Sequence, residues 1–374
     1  MGSAVVRDLV ATRKDIELGI GDVSQDRAKR LAKESGIGES YSVDVTDIEE
    51  LSSILSKFEA VVNATWFEYN LNVMKACLKS GCNYNDLGGL FHMTKKQIEL
   101  DSETRSAGIS AVVGGGESPG ITNVMCMIAA EKMDTVQTVK IYAGAKETSK
   151  TKDLVFPLSV ATVIDEYSRN PVEFIDGKYV EVPPLSGDEE VRFLDPVGMN
   201  VCHFSLHSEP ATLPSSIGKR VKNVEFRLGI SQKMLKILSA LVEVGLTSHV
   251  RNVPVNGQLV SPKEFLISFF NTKNSQEDSL ERWVALKTVV AGVRDGSSET
   301  VTCDLVAQPG SYGFKNATAF LTGVAGSIFG QHLADNKIPK GVVPPELAID
   351  LKLFSKELQT RGIQIKTSVH KDRN

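Results

Sequence analysis

Long apolar runs are missing from this 374-residue chain. No 18 consecutive residues are apolar, so no transmembrane helix is expected. The first ten residues include Arg7 and Asp8 and no apolar core, so no secretory signal is expected either. Cysteine is scarce. The five thiols (Cys77, Cys82, Cys126, Cys202, Cys303) are odd in number and form no Cys-x-x-Cys. That argues against a disulfide framework and for reduced thiols in a cytoplasmic protein. A charge excess is also absent: the net charge is −4 and the lysines and arginines are scattered, which argues against a nucleic-acid surface. There are no repeats and no low-complexity tracts. His203 and His207 lie four apart in Val201–His207, which reads as a strand with both histidines on one face. Two histidines alone make a poor zinc site, and no metal is expected.

What is present is ordinary globular composition, 41% hydrophobic and 24% charged, and enough length for two domains. The first part alternates strand and helix. Ser3–Val10 reads as a helix and Ile16–Gly21 as a strand ending on Asp22. Ser24 can cap a helix that stops near Gly36. Tyr41–Val45 is a short strand, and Thr46 and Glu49 form a capping box before Leu51, Ile54, Leu55 and Phe58. Ala60–Asn63 is the next strand. Leu71, Met74 and Leu78 mark a helix ending at Gly81, Asn83–Asp86 is a strand, and Thr94 and Gln97 begin a helix that stops at Gly108. Ile109–Val113 is a continuous apolar strand, as in a sheet covered on both faces. This rhythm predicts an α/β fold with a doubly wound parallel sheet of Rossmann type.

In the dinucleotide fingerprint Gly-x-Gly-x-x-Gly, the last glycine opens a helix and an acid some 20 residues on takes the ribose hydroxyls. Gly2 and Asp22 fit those two places. The first strand and first two glycines of the fingerprint do not precede them. That strand would belong between 16–21 and 60–63, and burying its side chains would contribute about 1.5–3 kcal/mol each. The expectation is therefore a sheet lacking its first strand, through a misplaced start or a trimmed chain. The alternative is a variant that has lost tight cofactor binding.

Ligands of such sheets lie beyond the strands' carboxyl ends. Gly2 would expose helix amides to a pyrophosphate. Asp22 would hold the adenosine ribose, which favours NAD and leaves NADP open because Arg27 is near. Asp44 and Val45 would flank the adenine, and Asn63, Ala64 and Thr65 would line the path of the nicotinamide half. Read blandly, Gly2 is a leftover terminal glycine and Asp22 a solvated turn acid.

A second feature is Gly114-Gly115-Gly116-Glu117-Ser118-Pro119-Gly120-Ile121-Thr122-Asn123. Ser118 fits an N-cap and Pro119 the first helical position. A helix start at the sheet's carboxyl edge suits a substrate carboxylate, so Ser118, Gly120 and Asn123 are candidate substrate ligands; a well-made cap is the other reading. Beyond residue 134 the pattern turns antiparallel, with hairpins at Asp176-Gly177 and Asp295-Gly296. From about 315 helix returns, its Gly323, Gly326 and Gly330 making one side thin, followed by a last amphipathic helix through Leu347, Leu351, Phe354 and Leu358. The expected organisation is a dinucleotide domain from 1–133 and 315–374 with an inserted α+β substrate or dimerisation domain at 134–314.

These residues resemble the saccharopine dehydrogenase family, over nearly the whole chain. The likeness is carried by Ser118–Asn123, by Ile164-Asp165-Glu166-Tyr167, by Val182-Pro183-Pro184-Leu185-Ser186-Gly187 and by Gly341-Val342-Val343-Pro344-Pro345-Glu346. It is nearest to the single-chain branch that includes lysine 6-dehydrogenase. The resemblance implies an NAD(P)-dependent oxidoreductase of amino-acid or lysine metabolism, acting on a C–N bond, and a homodimer. Such chemistry needs a base for the amine proton. Asp86, Glu117 and Tyr84 are candidates at the crevice, with His207 or Glu209 from the second domain; each is as readily structural. Arg227 is similar in place to an arginine of the lysine-dehydrogenase branch and would bind the substrate carboxylate, or else lie on the polar face of an exposed strand. Rival readings are a non-catalytic nucleotide-binding or scaffold protein with a degraded phosphate loop, and a reductase for a carboxylated polyamine imine.

Overall fold

A computed structural model describes residues 1–149, 154–248, 250–273 and 280–371. The chain divides into two units, described separately below. Unit 1 comprises Met1–Ile128, Ala211–Ser216 and Ala319–Gln364; unit 2 comprises Ala129–Pro210, Ile217–Thr318 and Ile365–Asn374. Among the described residues no helix is long and apolar enough to cross a membrane. All five cysteines are buried as thiols.

Strands are numbered in chain order: β1 (Gly19–Asp22), β2 (Glu39–Ser42), β3 (Ala60–Asn63), β4 (Asn83–Asp86), β5 (Ser110–Val112), β6 (Thr135–Ser149), β7 (Val172–Ile175), β8 (Lys178–Glu181) and β9 (Glu189–Arg192). They continue as β10 (Met199–Phe204), β11 (Asn223–Gly229), β12 (Val253–Val255), β13 (Gln258–Val260), β14 (Leu280–Arg294), β15 (Ser297–Ala307), β16 (Gly341–Val343) and β17 (Lys366–Lys371).

Unit 1 is the predicted α/β part. β1 and β2 pair in parallel, with Gly19 opposite Glu39 and Asp22 opposite Ser42. A second parallel sheet runs β16-β5-β4-β3. β1 and β3 are thus edges of two separate sheets. Helix Gly2–Thr12 touches residues tied to both. Its Val6 packs on the cluster of Ile20, Ala28 and Ala32, and a Cβ on Gly2 would stand 3.3 Å from Cβ of Ala64, just past β3. Its Asp8 is buried, and both carboxylate oxygens take the Nε–H of Arg361, at 2.8 and 3.0 Å. Under the second sheet, Val73, Met74, Cys77, Tyr84, Ile109 and Ala111 form one core.

The thin side of helix Ala317–Ala334 is where it packs. A Cβ on Gly323 would lie 2.7 Å from the Ala4 carbonyl carbon and 2.9 Å from the Val5 nitrogen, both backbone atoms. At Gly330 the nearest atom is a side-chain methyl of Val62, 2.7 Å away.

Several boundaries differ from expectation, two of them because an aspartate caps a helix. Asp47, rather than Thr46, caps helix Ile48–Leu55 by accepting from the Glu50 N–H. Thr94 and Gln97 do not open a helix; they are buried inside Leu90–Ile98, and the next helix is Asp101–Ser106. The closing helix is two pieces, Pro345–Ala348 and Leu351–Thr360, because Asp350 accepts from Lys352 N–H and Leu353 N–H and starts the chain afresh. The strand read through His207 ends at Phe204, so the two histidines do not share a strand face.

Unit 2 is built on a nine-stranded mixed sheet along β17-β15-β14-β6-β11-β10-β9, with β7 pairing β11 and β8 pairing β7. Both predicted hairpins are present. Asp176 and Gly177 have φ of 48° and 77°, and Asp295 and Gly296 have φ of 50° and 75°. Two successive left-handed residues match the right-handed twist of the flanking strands. Inside this unit Glu173 is almost fully enclosed and accepts the Phe226 N–H at 2.9 Å.

Two predictions follow from this packing. An Ala for Gly swap inside a helix ordinarily stabilises by about 1 kcal/mol. At Gly323 the new methyl meets backbone that cannot step aside, so Gly323→Ala destabilises by about 1–3 kcal/mol, while Gly330→Ala costs less. Chemical denaturation of both variants checks the order. Burial pushes the Glu173 carboxyl from its ordinary 4.5 up to about 8. Between those values the folded state binds more protons, so stability falls as pH rises through that window. Glu173→Gln keeps an acceptor for Phe226 and removes the charge. It raises stability by about 1–3 kcal/mol at pH 8 and leaves it unchanged near pH 4, as thermal melts across pH will show.

Candidate active site

The carboxyl ends of β3, β4 and β5 carry a polar network that shapes a glycine turn. Asn63 ends β3. Its Oδ1 accepts from Thr65 N–H and Oγ1–H at 3.1 and 2.7 Å, and its Nδ2 donates to Asn70 Oδ1 at 2.9 Å. Asp86 ends β4 and is buried. Its Oδ1 accepts the Gly88 and Gly114 N–H groups at 2.8 and 2.9 Å. Its Oδ2 accepts from Tyr84 Oη–H at 3.0 Å and Gln97 Nε2–H at 2.7 Å. The Asp86 carbonyl also accepts the Gly115 N–H at 2.7 Å.

The turn leaving β5 closes on itself. Gly116 N–H donates to the Pro119 carbonyl at 2.9 Å, and Ile121 N–H to the Gly116 carbonyl at 3.0 Å. The Ser118–Pro119 peptide is cis, and Gly120 has φ of 124°. A Cβ on Gly120 would collide with the Gly116 backbone. Here the structure corrects the expected cap. The helix is Ile121–Ala130, so Ser118 is not its N-cap nor Pro119 its first residue, because Gly120's left-handed backbone cannot be helical. Asn123 caps in reverse, its Oδ1 accepting the Gly120 N–H at 3.0 Å. Its Nδ2 donates to Glu346 Oε2 at 3.0 Å and Thr212 Oγ1 at 3.2 Å. Thr122 Oγ1–H reaches Ser118 Oγ at 3.4 Å, and the buried Glu117 gives its carbonyl to Thr122 N–H.

Burial raises the pKa of Asp86, although its four donors work against the shift. Burial, then the Asp86 charge, holds the Tyr84 phenol well above its usual range. Asp86 spends its carboxylate oxygens on Tyr84, Gln97 and two turn amides, and the Tyr84 hydroxyl donates to Asp86. Gln97, read in the sequence only as part of a helix start, and Asn70, not singled out there, complete the network. Their signal is an amide at a buried position of an otherwise apolar helix stripe.

The candidate dinucleotide residues sit at strand ends or a helix start. Gly2 begins its helix beside Ala64 with no side chain capping the first amides. Asp22 closes β1, accepts the Ser24 N–H at 2.8 Å, and stands 3.2 Å from the Arg27 guanidinium. Asp44 is exposed past β2, and hydrogen bonds from Thr46 N–H and Oγ1–H hold its carboxyl below the usual range. Val45 packs its side on the core beneath. A glycine where a Cβ would press on Ala64, a helix start with open amides and an acid at a strand end fit a dinucleotide.

Unit 2 holds the remaining candidates. His207 lies flat on Phe226, ring centroids 3.8 Å apart. Its Nδ1 is 2.7 Å from Glu209 Oε2, and its Nε2 is 3.9 Å from Glu166 Oε1. Burial pushes the Glu166 carboxyl up to about 7. His203 pairs with Asp188 at 2.9 Å. Arg227 is committed within its own unit. Its Nε–H donates to the Gly187 carbonyl at 2.9 Å, its Nη1 meets Glu225 at 2.6 Å, and its guanidinium lies 4.0 Å over the Phe204 ring. Glu225 of its own strand and Phe204 of β10 thus hold the guanidinium in place.

Comparison with known proteins agrees with these features. Residues 1–112 match the model of the saccharopine dehydrogenase NADP binding domain, and residues 116–363 that of the saccharopine dehydrogenase C-terminal domain. A carboxyaminopropylagmatine dehydrogenase from Synechocystis sp. is 21% identical over 358 residues, 90% of this chain and 87% of that protein. A carboxynorspermidine synthase from Vibrio cholerae is 24% identical over 293 residues, covering 74% and 67%. The fold matches apo saccharopine dehydrogenase (L-Glu forming) from Saccharomyces cerevisiae with a TM-score of 0.76 at 19% identity, over 99% of this chain and 98% of that one. The chain belongs to the saccharopine dehydrogenase family and is an oxidoreductase that uses a nicotinamide dinucleotide.

Proposed function

We propose that the enzyme oxidises a C–N bond of an amino acid, or reduces the corresponding imine, with the 114–123 turn receiving the substrate's carboxylate end. The observation that carries this is the turn itself. It stands at the carboxyl end of β5, its glycines admit no Cβ, and Asp86 and Asn123 hold it from both sides. A bound nicotinamide would supply the hydride acceptor or donor; the protein aligns the partners and handles protons. Gly2 would place helix amides toward the pyrophosphate, Asp22 would accept from ribose hydroxyls, Asp44 and Val45 would border the adenine, and Asn63, Ala64 and Thr65 would flank the nicotinamide half. Ser118 would meet the substrate carboxylate, with Gly120 and Asn123 setting the shape of the turn behind it, and Glu117 is a proton-exchange candidate beside them.

Lysine or saccharopine is the first substrate class. The names of the Synechocystis and Vibrio relatives favour a second, a carboxylated polyamine or its imine. Both classes join an amino-acid carboxylate to an amine carbon, so the same turn serves either. Buried thiols suit a reducing cytoplasm, and a homodimer is proposed from the family resemblance; light scattering measures the latter.

Calorimetric titration with NAD and NADP is expected to give a Kd below about 1 mM. Turnover with lysine, saccharopine and carboxylated polyamines then ranks the substrates. A stable fold that binds neither dinucleotide, and turns over none of them, would sink the proposal in favour of a scaffold. Gly120→Ala is expected to cost about 100-fold in kcat/KM through a displaced turn, with dinucleotide affinity retained.

A further inference from the structure

One hairpin of unit 2 stands apart from the large sheet. β12 and β13 pair only with each other, and every residue from Val253 to Leu259 is exposed. A lone two-stranded hairpin is marginal in water and needs a surface to lie on. This one is apolar on both faces. Cross-strand partners share a face, so Val253, Val255 and Val260 lie on one side and Pro254 and Leu259 on the other. Leu259 is 73% exposed.

The chain on either side is apolar as well. Helix Pro262–Lys273 follows directly and packs Leu266, Ile267 and Phe270 into a core of the unit. Its Phe265 and Phe269, one turn apart, stack with ring centroids 6.2 Å apart, and Phe265 is 60% exposed. Before the hairpin, Val244 is exposed and Val250 is 91% exposed. A helix that is apolar on more than one side is a helix covered on more than one side. At about 150–200 Å² for a whole residue, these exposed groups leave roughly 600–700 Å² of apolar surface open. One side of a standard interface is about 800 Å² and little more than half apolar.

The backbone decides which occupant fits. The turn residues Asn256 and Gly257 have φ of 48° and 82°. Beside such a two-residue turn the flanking pair, here Val255 and Gln258, is hydrogen-bonded, and bonded pairs alternate with non-bonded ones from there. The Asp176-Gly177 hairpin keeps this phase, out to Val182 N–H on the Pro171 carbonyl at 2.9 Å. Pro254 and Leu259 are therefore the pair whose backbone groups face away from each other. On the β12 edge this leaves no N–H, because Pro254 has none. On the β13 edge it leaves the N–H and the carbonyl of Leu259 side by side. Among the described residues, the open β8, β9 and β17 edges of unit 2 all carry Lys, Glu or Arg, and charges on an edge resist pairing. Val253–Val260 carries no charge.

We propose that the β13 edge joins the same edge of a second copy of this chain, antiparallel about a two-fold axis at Leu259. It rests on the homodimer reading above, to which it gives a surface, and on nothing in the substrate reading. The Leu259 N–H of each copy donates to the Leu259 carbonyl of the other, the exchange that a hydrogen-bonded antiparallel pair makes. A strand whose open donor and acceptor sit on one residue is complementary to itself, as a two-fold contact requires. With no charge on either strand, the copies meet without repulsion. The product is a four-stranded sheet whose outer edges are both β12. Pro254 ends it on each side, so the assembly closes as a dimer and does not grow into a fibre.

Light scattering of the whole protein at about 50 µM is expected to give twice the chain mass. Leu259→Pro removes the outward N–H and spares the hairpin's own ladder. It is expected to raise the dimer Kd at least about 100-fold with the circular dichroism unchanged. Leu259→Lys is expected to weaken the dimer in dilute buffer and to regain part of it in high salt, which screens the two like charges. Leu259→Cys reads proximity, since hydrogen-bonded partners have Cα atoms about 5.5 Å apart, within reach of a disulfide. Oxidised glutathione is expected to cross-link Leu259→Cys into dimers and not Val23→Cys, an exposed site in unit 1; the native cysteines are all buried. A wild-type chain that stays monomeric overturns the homodimer and this surface together. A dimer that ignores Leu259→Pro and is not cross-linked through Leu259→Cys keeps the homodimer and overturns this surface. Should Leu259→Pro not fold, the Lys and Cys variants decide.

Discussion

A buried carboxylate must have its lone pairs met, and Asp86 is the place where unit 1 is organised around that requirement. Four donors reach it: two backbone N–H groups of glycines, a phenol and a side-chain amide. Each left unmet would cost about 1–3 kcal/mol. The donors come from the end of β4, the loop after it, helix Leu90–Ile98 and the turn after β5. Satisfying one acid therefore ties four segments into one shape. The turn that follows has little freedom left, since Gly115 is also held by the Asp86 carbonyl and Gly120 by Asn123.

The same constraint divides the titratable groups of the molecule. Tyr84 and Asp86 are enclosed and mutually engaged, so their polarity is spent on geometry. In unit 2, Asp165 is neutralised by Lys263 and Arg169, and Arg227 by Glu225 and a ring face. Among the described residues, burial moves the carboxyls of Glu166 and Glu173 into the neutral range, to about 7 and about 8.

Much of this was legible in the sequence. Alternating apolar strands and capped helices predicted the parallel sheet, and Asp-Gly pairs predicted both hairpins, because these signals are local. Helix Ala317–Ala334 was recognised by its apolar residues and its thin side by three glycines. What that side packs on was not legible, since Ala4 and Val5 lie more than 300 positions earlier in the chain. The cap at Gly120 was misread for a similar reason. Ser-Pro at a helix start is the common pattern, and only the backbone angle of Gly120 shows that the helix begins after it. Asp86 and Tyr84 were singled out with two duties open, since a strand-end acid looks alike whether it faces a ligand or four donors. Glu346 was noted only as the end of the Gly341–Glu346 motif and was given no role. Its partner Asn123 is 223 residues away, and an acid after two prolines reads as a surface turn.

On the proposed reading, cofactor preference would turn on a comparably small arrangement. Asp22 alone reads as an acid for ribose hydroxyls. In the folded chain it is one half of a partly exposed pair with Arg27, at 3.2 Å. An exposed pair of this kind contributes about 0–1 kcal/mol. A ribose diol would use the acid and leave the arginine paired; a 2′-phosphate would need the arginine released and the acid turned aside. Either rearrangement is cheap beside the several kcal/mol of a bound dinucleotide. On the proposed reading, the acid and its arginine would set the preference together.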